Sequence, residues 1–296
     1  MNQIGLDALN TADRTTFTAA IGEVMELAPW VAEETFAKRP FASIAALYAA
    51  MTDAVRNAPQ ERRQALINGH PDLAGKAARQ GTLTADSTAE QAAAGLDKLS
   101  EREFADFHRL NGAYRKKFAM PFIVCVRRHG KQSILREFER RLKNDAAAEQ
   151  KTALDEIFRI AALRLDQRVT AAERLKVHGH LSTHVLDVHA GHPAQGVVIE
   201  LCEITGEGGA ARVIKRTETN ADGRTDAPLF TGMPVPIATY ELRFSVGDYF
   251  AKADAPMAEP PFLGIVPVRF AIAEPEGRYH VPLLVTPWSY STYRGS

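Results

Sequence analysis

With 296 residues, 45% of them hydrophobic and 24% charged, the chain has the composition of an ordinary soluble protein and length enough for two cores. Its 36 Lys and Arg balance 36 Asp and Glu, so no global field selects nucleic acid or an anionic membrane as a partner. The longest apolar runs, PFIVCV and PLLV, are far too short to span a bilayer, and the opening residues lack the basic and apolar regions of a secretory signal. Only Cys125 and Cys202 are present, which excludes a thiolate metal cluster and suits a reducing compartment; the expected location is the cytoplasm.

Residues 1–172 read as helices. TTFTAAIGEVMELAPWVAEETFAKRP carries Phe17, Ile21, Val24 and Leu27 at helical spacing, and Pro40 closes it. SIAALYAAMTDAVRNAP, STAEQAAAGLDKLS, EREFADFHRLNGAYRKKF and SILREFERRLKNDAAAEQKTALDEIFRIAALRLDQRV follow the same rule. Ala is abundant and β-branched runs are scarce, so the prediction is an all-α helical bundle of roughly six to nine helices. Within it, His70-Pro71 holds a histidine in extended backbone at a loop–helix junction; taken alone it reads equally as a helix-start imidazole without a role. Ser87-Thr88-Ala89-Glu90 is formally a capping box, with Ser87 at the N-cap and Glu90 at N3, and on the residues alone that structural reading takes precedence.

The polar segment 173–178 reads as a linker, and from residue 179 the texture changes. LSTHVLDVH, GVVIELCEI, ARVIKRTETN, IATYELRFSV, IVPVRFAI and YHVPLLVTP are short, β-branched and partly alternating, with turn signals between them. They predict an all-β sandwich over residues 179–296. Five histidines crowd into HGHLSTHVLDVHAGH, where alternation puts His178, His180 and His184 on one face. Solvated imidazoles and a zinc site are both readings of that face, but no thiolate or HExxH pattern supports a metal. His189 and His192 read as loop residues. Arg224 follows Asp222-Gly223 in a tight turn, and His280 begins the last strand. Periodicity cannot bring His184, Arg224 and His280 into one site. The chain also carries β-formers and aromatics, Tyr290 and Tyr293 among them, almost to its last residue, where termini ordinarily fray.

LSTHVLD, NADGRT and the closing YHVPLLVTPWSYSTYRGS resemble the signatures of 5-hydroxyisourate hydrolase, a transthyretin-like family, across the whole β half. The resemblance implies a transthyretin-like sandwich assembled as a homotetramer. It also implies catalytic His184, Arg224 and His280, and no metal. Tyr293, Arg294, Gly295 and Ser296 would pack into the active-site cleft and contact substrate, which explains a tail that cannot fray. Hydrolysis of a cyclic amide needs a base that titrates near neutrality and a cation for the developing oxyanion, and these residue types supply both.

HPDLAGKAA, STAEQAAAGLDKL, LNGAYRKKFAMPFIVCVR and IFRIAALRL resemble, in order, the motifs of OHCU decarboxylase, which acts on 2-oxo-4-hydroxy-4-carboxy-5-ureidoimidazoline (OHCU), the product of the hydrolase. That resemblance implies an all-α, cofactor-free enzyme with catalytic His70 and Glu90 and a catalytic arginine at Arg164, with Arg159 as the alternative. Pro71, Ser87, Gln91, Phe118, Phe122 and Ile123 would contact substrate, beside Pro121. Glu90 is expected to fix the tautomer of His70 and raise its pKa, and Arg164 to neutralise an anionic group. Ala119-Met120 departs from the glycine the family often has before this proline.

Two consecutive steps in one chain imply a bifunctional enzyme with two small-molecule substrates, 5-hydroxyisourate and OHCU, and no cofactor. The competing readings are a single active half tethered to an inactive one, and a transthyretin-like carrier with a helical scaffold.

Overall fold

Helices begin where a short polar side chain can satisfy the orphan amides of the first turn. Asp13 caps α2 (Arg14–Ile21; α1 is Leu6–Thr11), Ser43 caps α4 (Ile44–Asn57), and Asp145 caps the helix that ends at Arg168. The computed structural model describes residues 3–75, 83–205, 208–253 and 255–295. The remaining helices of the first unit are α3 (Trp30–Phe36), α5 (Gln60–Asn68), α6 (Ala85–Ala93), α7 (Glu101–Phe118), α8 (Lys131–Arg141) and α9 (Ala146–Arg168). Phe17, Ile21, Leu47, Val55, Phe107, Phe138 and Ile157 meet in one core and are all but inaccessible to solvent. Burying each such side chain contributes about 1.5–3 kcal/mol. One two-residue strand pair, Ile4–Gly5 (β1) with Val169–Thr170 (β2), accompanies the helices, so the unit is helical without being purely so.

The chain divides into two compact units: Met1–Arg127 with Ser133–Val177, and Arg128–Gln132 with His178–Ser296. In the second, β6 (Val198–Thr205), β7 (Ala210–Glu218), β8 (Ala238–Ser245) and β9 (Ile265–Ile272) form an antiparallel sheet in the order β7-β6-β8-β9. The opposite sheet contains β4 (Val185–Asp187), β5 (His192–Pro193), β11 (Leu283–Val285) and β12 (Tyr290–Thr292), in the order β12-β11-β4-β5. Val185, Leu283 and Val285 from this sheet share one core with Leu201, Leu242 and Phe244 from the other.

Two predicted strands are interrupted. LSTHVLDVH is β3 (His180–Ser182) and β4, and YHVPLLVTP is β10 (Arg278–His280) and β11, with Pro282 unable to donate at the break. The two parallel ladders remain continuous through Val281 N–H to Ser182 O at 3.0 Å and Leu283 N–H to His184 O at 2.8 Å. The second unit also contains a helix, α10 (Val246–Lys252), where IATYELRFSV runs out, so it is strand-rich rather than purely β.

Candidate active sites

In the helical unit, His70 follows the end of α5 and is 7% exposed. Its Nδ1 lies 2.9 Å from the Leu66 carbonyl, an arrangement that places the ring proton on Nδ1 and leaves the Nε2 lone pair free. His70 lines a cavity with Pro71, Ser87, Glu90, Gln91, Phe122, Ile123 and Arg164, together with Leu73, Val124, Val126 and Ile160. Phe118 lies off this cavity. It ends α7, where its ring packs on Tyr114 at 4.8 Å between centroids.

Arg164, not Arg159, is the arginine in the cavity wall. Arg159 is half exposed and pairs with Glu156, whereas the Arg164 side chain is 3% exposed. Arg164 lies one helical turn beyond Ile160, which lines the same cavity. Its Nε and Nη2 donate to the two Glu90 oxygens at 2.9 and 2.8 Å, and Nη2 also donates to Ser87 Oγ at 3.3 Å. The expected partnership of Glu90 with His70 is therefore corrected: the Glu90 carboxylate is engaged by Arg164. The His70 pKa is also pushed down, to about 4, not up. Burial disfavours the imidazolium and the Arg164 cation adds to this, outweighing the Leu66 carbonyl and the Glu26 carboxylate, which act in the opposite direction.

The capping-box reading also fails. The helix begins three residues before Ser87, at Thr84, whose side chain accepts from the Ser87 amide at 3.3 Å. Ser87 Oγ is thereby free to donate to Glu26 at 3.0 Å. Glu26 belongs to no motif, yet it also accepts from Thr84 Oγ1 at 2.6 Å and from Arg164 Nη1 at 2.6 Å. Burial would raise its pKa, but the Arg164 charge and these donors hold it below the usual carboxylate range.

The rest of the cavity wall is held by backbone anchors. Arg141, itself 1% exposed, donates to the Ile123 carbonyl at 2.6 Å, and the Cys125 amide donates to Glu156 at 2.8 Å. The Gln91 side chain accepts from the Ala74 amide at 3.0 Å, and Asn111 donates to the Leu73 carbonyl at 2.8 Å. Ala119, preceding this segment, has φ 55 as the left-handed cap of α7. Glycine is the unstrained residue there, so alanine costs about 1 kcal/mol. The family's glycine thus has a backbone reason, and the departure leaves the cavity residues in place.

In the β unit, His184 sits in the break between β3 and β4, where its backbone forms an antiparallel bridge with Arg224. Gly223 makes that approach possible. Its φ is 70, and a Cβ there would meet the Val185 carbonyl oxygen at 2.3 Å. His280, at the end of β10, bridges Gly295: Gly295 N–H donates to His280 O at 2.8 Å and His280 N–H to Gly295 O at 3.3 Å. His280 Nδ1 is 3.0 Å from Ser182 Oγ. Ser296 lies outside the described residues. Tyr293 and Arg294 are exposed, and the Arg294 guanidinium lies 4.8 Å from the Tyr279 ring centroid.

Burial lowers the pKa of both histidines. Arg224 lowers both further, and His184 and His180 also act on His280. The fold thus brings His184, Arg224 and His280 within electrostatic reach, as periodicity could not. The Asp222 backbone and carboxylate act in the opposite direction on His184 without outweighing burial and Arg224. The His184 Nε2 is buried and has no hydrogen-bond partner among the described residues, leaving an acceptor free for a water molecule or substrate. Among the described residues no group of three or more His, Cys, Asp or Glu side chains is arranged to hold a metal.

Gly295 is close to the histidine it would help to position. A Cβ there would sit 3.0 Å from His280 Cδ2 and 3.1 Å from its Cβ. Gly295→Ala is expected to displace the ring or the tail and lower kcat/KM for the hydrolysis that the sequence resemblance implies by about 10- to 100-fold. Steady-state kinetics on both substrates would check this, and unchanged hydrolysis would separate the tail from the site.

Residues 10–166 match OHCU decarboxylase as a family, and residues 181–295 match the HIUase/Transthyretin family. A 5-hydroxyisourate hydrolase from Deinococcus radiodurans is 51% identical over 119 residues, covering 40% of this chain and 98% of that protein. A 2-oxo-4-hydroxy-4-carboxy-5-ureidoimidazoline decarboxylase from Haloferax volcanii is 39% identical over 171 residues, covering 58% of this chain and 99% of that protein. The chain belongs to both families, one in each half. A solved (S)-allantoin synthase is similar along the whole length, at 31% identity, with 99% of this chain and 100% of that chain covered and a TM-score of 0.50. Within this double family assignment, the OHCU decarboxylase half contains the His70 cavity, and the HIUase/transthyretin half contains the His184–Arg224–His280 group.

Proposed function

We propose that the chain is a bifunctional enzyme of urate breakdown: its C-terminal half hydrolyses 5-hydroxyisourate to OHCU, and its N-terminal half decarboxylates OHCU to (S)-allantoin. The observation that carries this reading is that near-complete relatives of two consecutive enzymes lie side by side in one chain. Chain order is the reverse of reaction order.

In the hydrolase half, His184 is the general base. Its free Nε2 accepts a proton from water as that water attacks the ring carbonyl. Arg224 remains charged and stabilises the oxyanion. His280, neutral and with Nδ1 against Ser182, relays the proton taken up by His184 to the departing ring nitrogen, so both imidazoles end the cycle as they began it. Lowered pKa values keep both imidazoles in the neutral form at the start of the cycle. Gly295 keeps the tail against His280, and Tyr293 and Arg294 complete the substrate cleft. A homotetramer built through the sandwich, in the cytoplasm, is the proposed working state. No helix among the described residues is long and apolar enough to cross a membrane.

In the decarboxylase half, loss of CO2 leaves negative charge on the ring carbon and its neighbouring oxygen. Arg164 stabilises that charge, Glu90 and Ser87 hold the guanidinium in place, and His70, which takes a proton from solvent on its free Nε2 as the anionic substrate binds, delivers that proton to one face of the carbon. Pro71, Gln91, Phe122 and Ile123 shape the cavity so that only one face is protonated.

The test is turnover of both compounds by one preparation. Supplied with 5-hydroxyisourate, the protein should hydrolyse it and release one CO2 per substrate. Hydrolysis without accelerated CO2 release would restrict the activity to the β unit.

A further inference from the structure

We propose that Glu26 is a positioning residue of the decarboxylase site, clamping Arg164 on the edge that Glu90 leaves open and keeping a negative charge beside His70. This inference rests on reading the His70 cavity as the decarboxylase site, and it adds a group that neither the sequence motifs nor the cavity wall includes.

Glu26 lies in the connection between α2 and α3, distant in sequence from α6 and α9, and is 4% exposed. Its oxygens divide their work. Oε1 accepts from Thr84 Oγ1 and Ser87 Oγ, and Oε2 accepts from Arg164 Nη1 at 2.6 Å. Glu90 accepts from Nε and Nη2 of the same guanidinium. Arg164 is therefore gripped on two edges, with one Nη1 hydrogen left over. A carboxylate this deep is costly unless its partners compensate, and here a guanidinium and two hydroxyls do so. Two of those donors, Ser87 and Arg164, line the His70 cavity, so Glu26 fixes groups that face the substrate.

Charge gives the second part of that role. Glu26 and Glu90 carry two negative charges against the single positive charge of Arg164, and Asp86 lies a further 3.9 Å from its Nε. The charges acting on His70 are Glu26 from the α2–α3 connection and Arg164 from α9; Glu90 of α6 lines the same cavity, and Asp86 of α6 is paired with Arg168 at 2.5 Å. With the Arg164 charge already shared between Glu26 and Glu90, an anionic substrate gains most from His70 as imidazolium. Glu26 favours that form, opposing the burial and the Arg164 charge that disfavour it.

The experiment uses the full chain and compares Glu26→Gln, Glu26→Asp and His70→Asn. OHCU decarboxylation is measured from about pH 3 to about pH 9, with 5-hydroxyisourate hydrolysis and thermal melting recorded on the same preparations. Glu26→Gln keeps an acceptor for Thr84 and Ser87 but sets an amide against Arg164 and removes the charge. Its kcat should fall at least about tenfold with KM changed by less than about threefold. Removing a negative charge makes the imidazolium less favourable, so the limb of the pH profile that depends on His70 should move to lower pH by about half a unit or more. Glu26→Asp, which retains the charge, should hold that limb near the wild-type position and recover part of kcat. If Glu26→Gln has wild-type kcat and an unmoved limb while His70→Asn is inactive, the inference about Glu26 is overturned and the site stands. If activity falls only in step with melting temperature and the limb does not move, Glu26 is a structural residue. Decarboxylation by His70→Asn at the wild-type rate and to (S)-allantoin alone would remove the reading of the cavity itself.

Discussion

His70→Asn should abolish accelerated decarboxylation of OHCU while leaving hydrolysis of 5-hydroxyisourate at the wild-type rate. Asparagine is polar and smaller than imidazole, so the cavity can accept it, but it cannot carry a proton. General acid–base groups contribute about 10²- to 10⁴-fold, and a loss of that size is expected in kcat. His70 belongs to the helical unit and the His184–Arg224–His280 group to the other, so the two activities should separate. The stereochemistry of residual product refines the role. Retained decarboxylation with scrambled configuration would assign His70 to proton delivery. Wild-type rate and configuration together would remove His70 from the mechanism.

The complementary substitution, His184→Ala, should lower 5-hydroxyisourate hydrolysis by about 10²- to 10⁴-fold and leave decarboxylation of supplied OHCU unchanged. The fold should tolerate it, because His184 holds its place in the sheet through backbone bonds: its carbonyl accepts from the Leu283 amide at 2.8 Å, and the bridge to Arg224 is also main chain. Loss of the ring removes the buried Nε2 acceptor and relieves His280 of one charge that lowers its pKa. Rates measured across pH should therefore show the remaining His280-dependent limb shifted upward. Full hydrolysis by this variant would remove His184 from the mechanism.

Much of this was legible in the chain itself. The change from helical spacing to short β-branched runs separates the two textures near residue 178, but it does not register that Arg128–Gln132 groups with the second unit. The motif residues His70, Glu90, Arg164, His184, Arg224 and His280 were nameable, but what each would touch was not. Glu90 read as a cap because its local spacing from Ser87 is right, and local spacing does not register an arginine 74 positions away. Thr84 supplies an equally good cap one turn earlier, and the helix uses it.

Glu26 was invisible for the same reason, since its three donors come from residues 84, 87 and 164. The ambiguity between Arg159 and Arg164 is one of helical phase. Arg164 falls one turn beyond cavity-lining Ile160, whereas Arg159 faces Glu156 near the surface. Phe118 read as a cavity residue by its neighbours in sequence, but the left-handed turn at Ala119 redirects the chain immediately after it. In the β unit, Gly247-Asp248 reads as the turn that ends the strand run, and the seven residues of VGDYFAK are too few to show a helical period, so α10 was hidden. The tail was the reverse case. Its aromatics anticipated order, and the Gly295–His280 backbone pair accounts for it.

The most direct measurement of the two-step reading uses 5-hydroxyisourate generated in situ from urate by a urate oxidase. Substrate loss is followed by absorbance and product chirality by circular dichroism. The account predicts rapid loss of 5-hydroxyisourate and the prompt appearance of (S)-allantoin alone. Rapid loss followed by slow, racemic allantoin would contradict it, because the helical half would then contribute no chemistry.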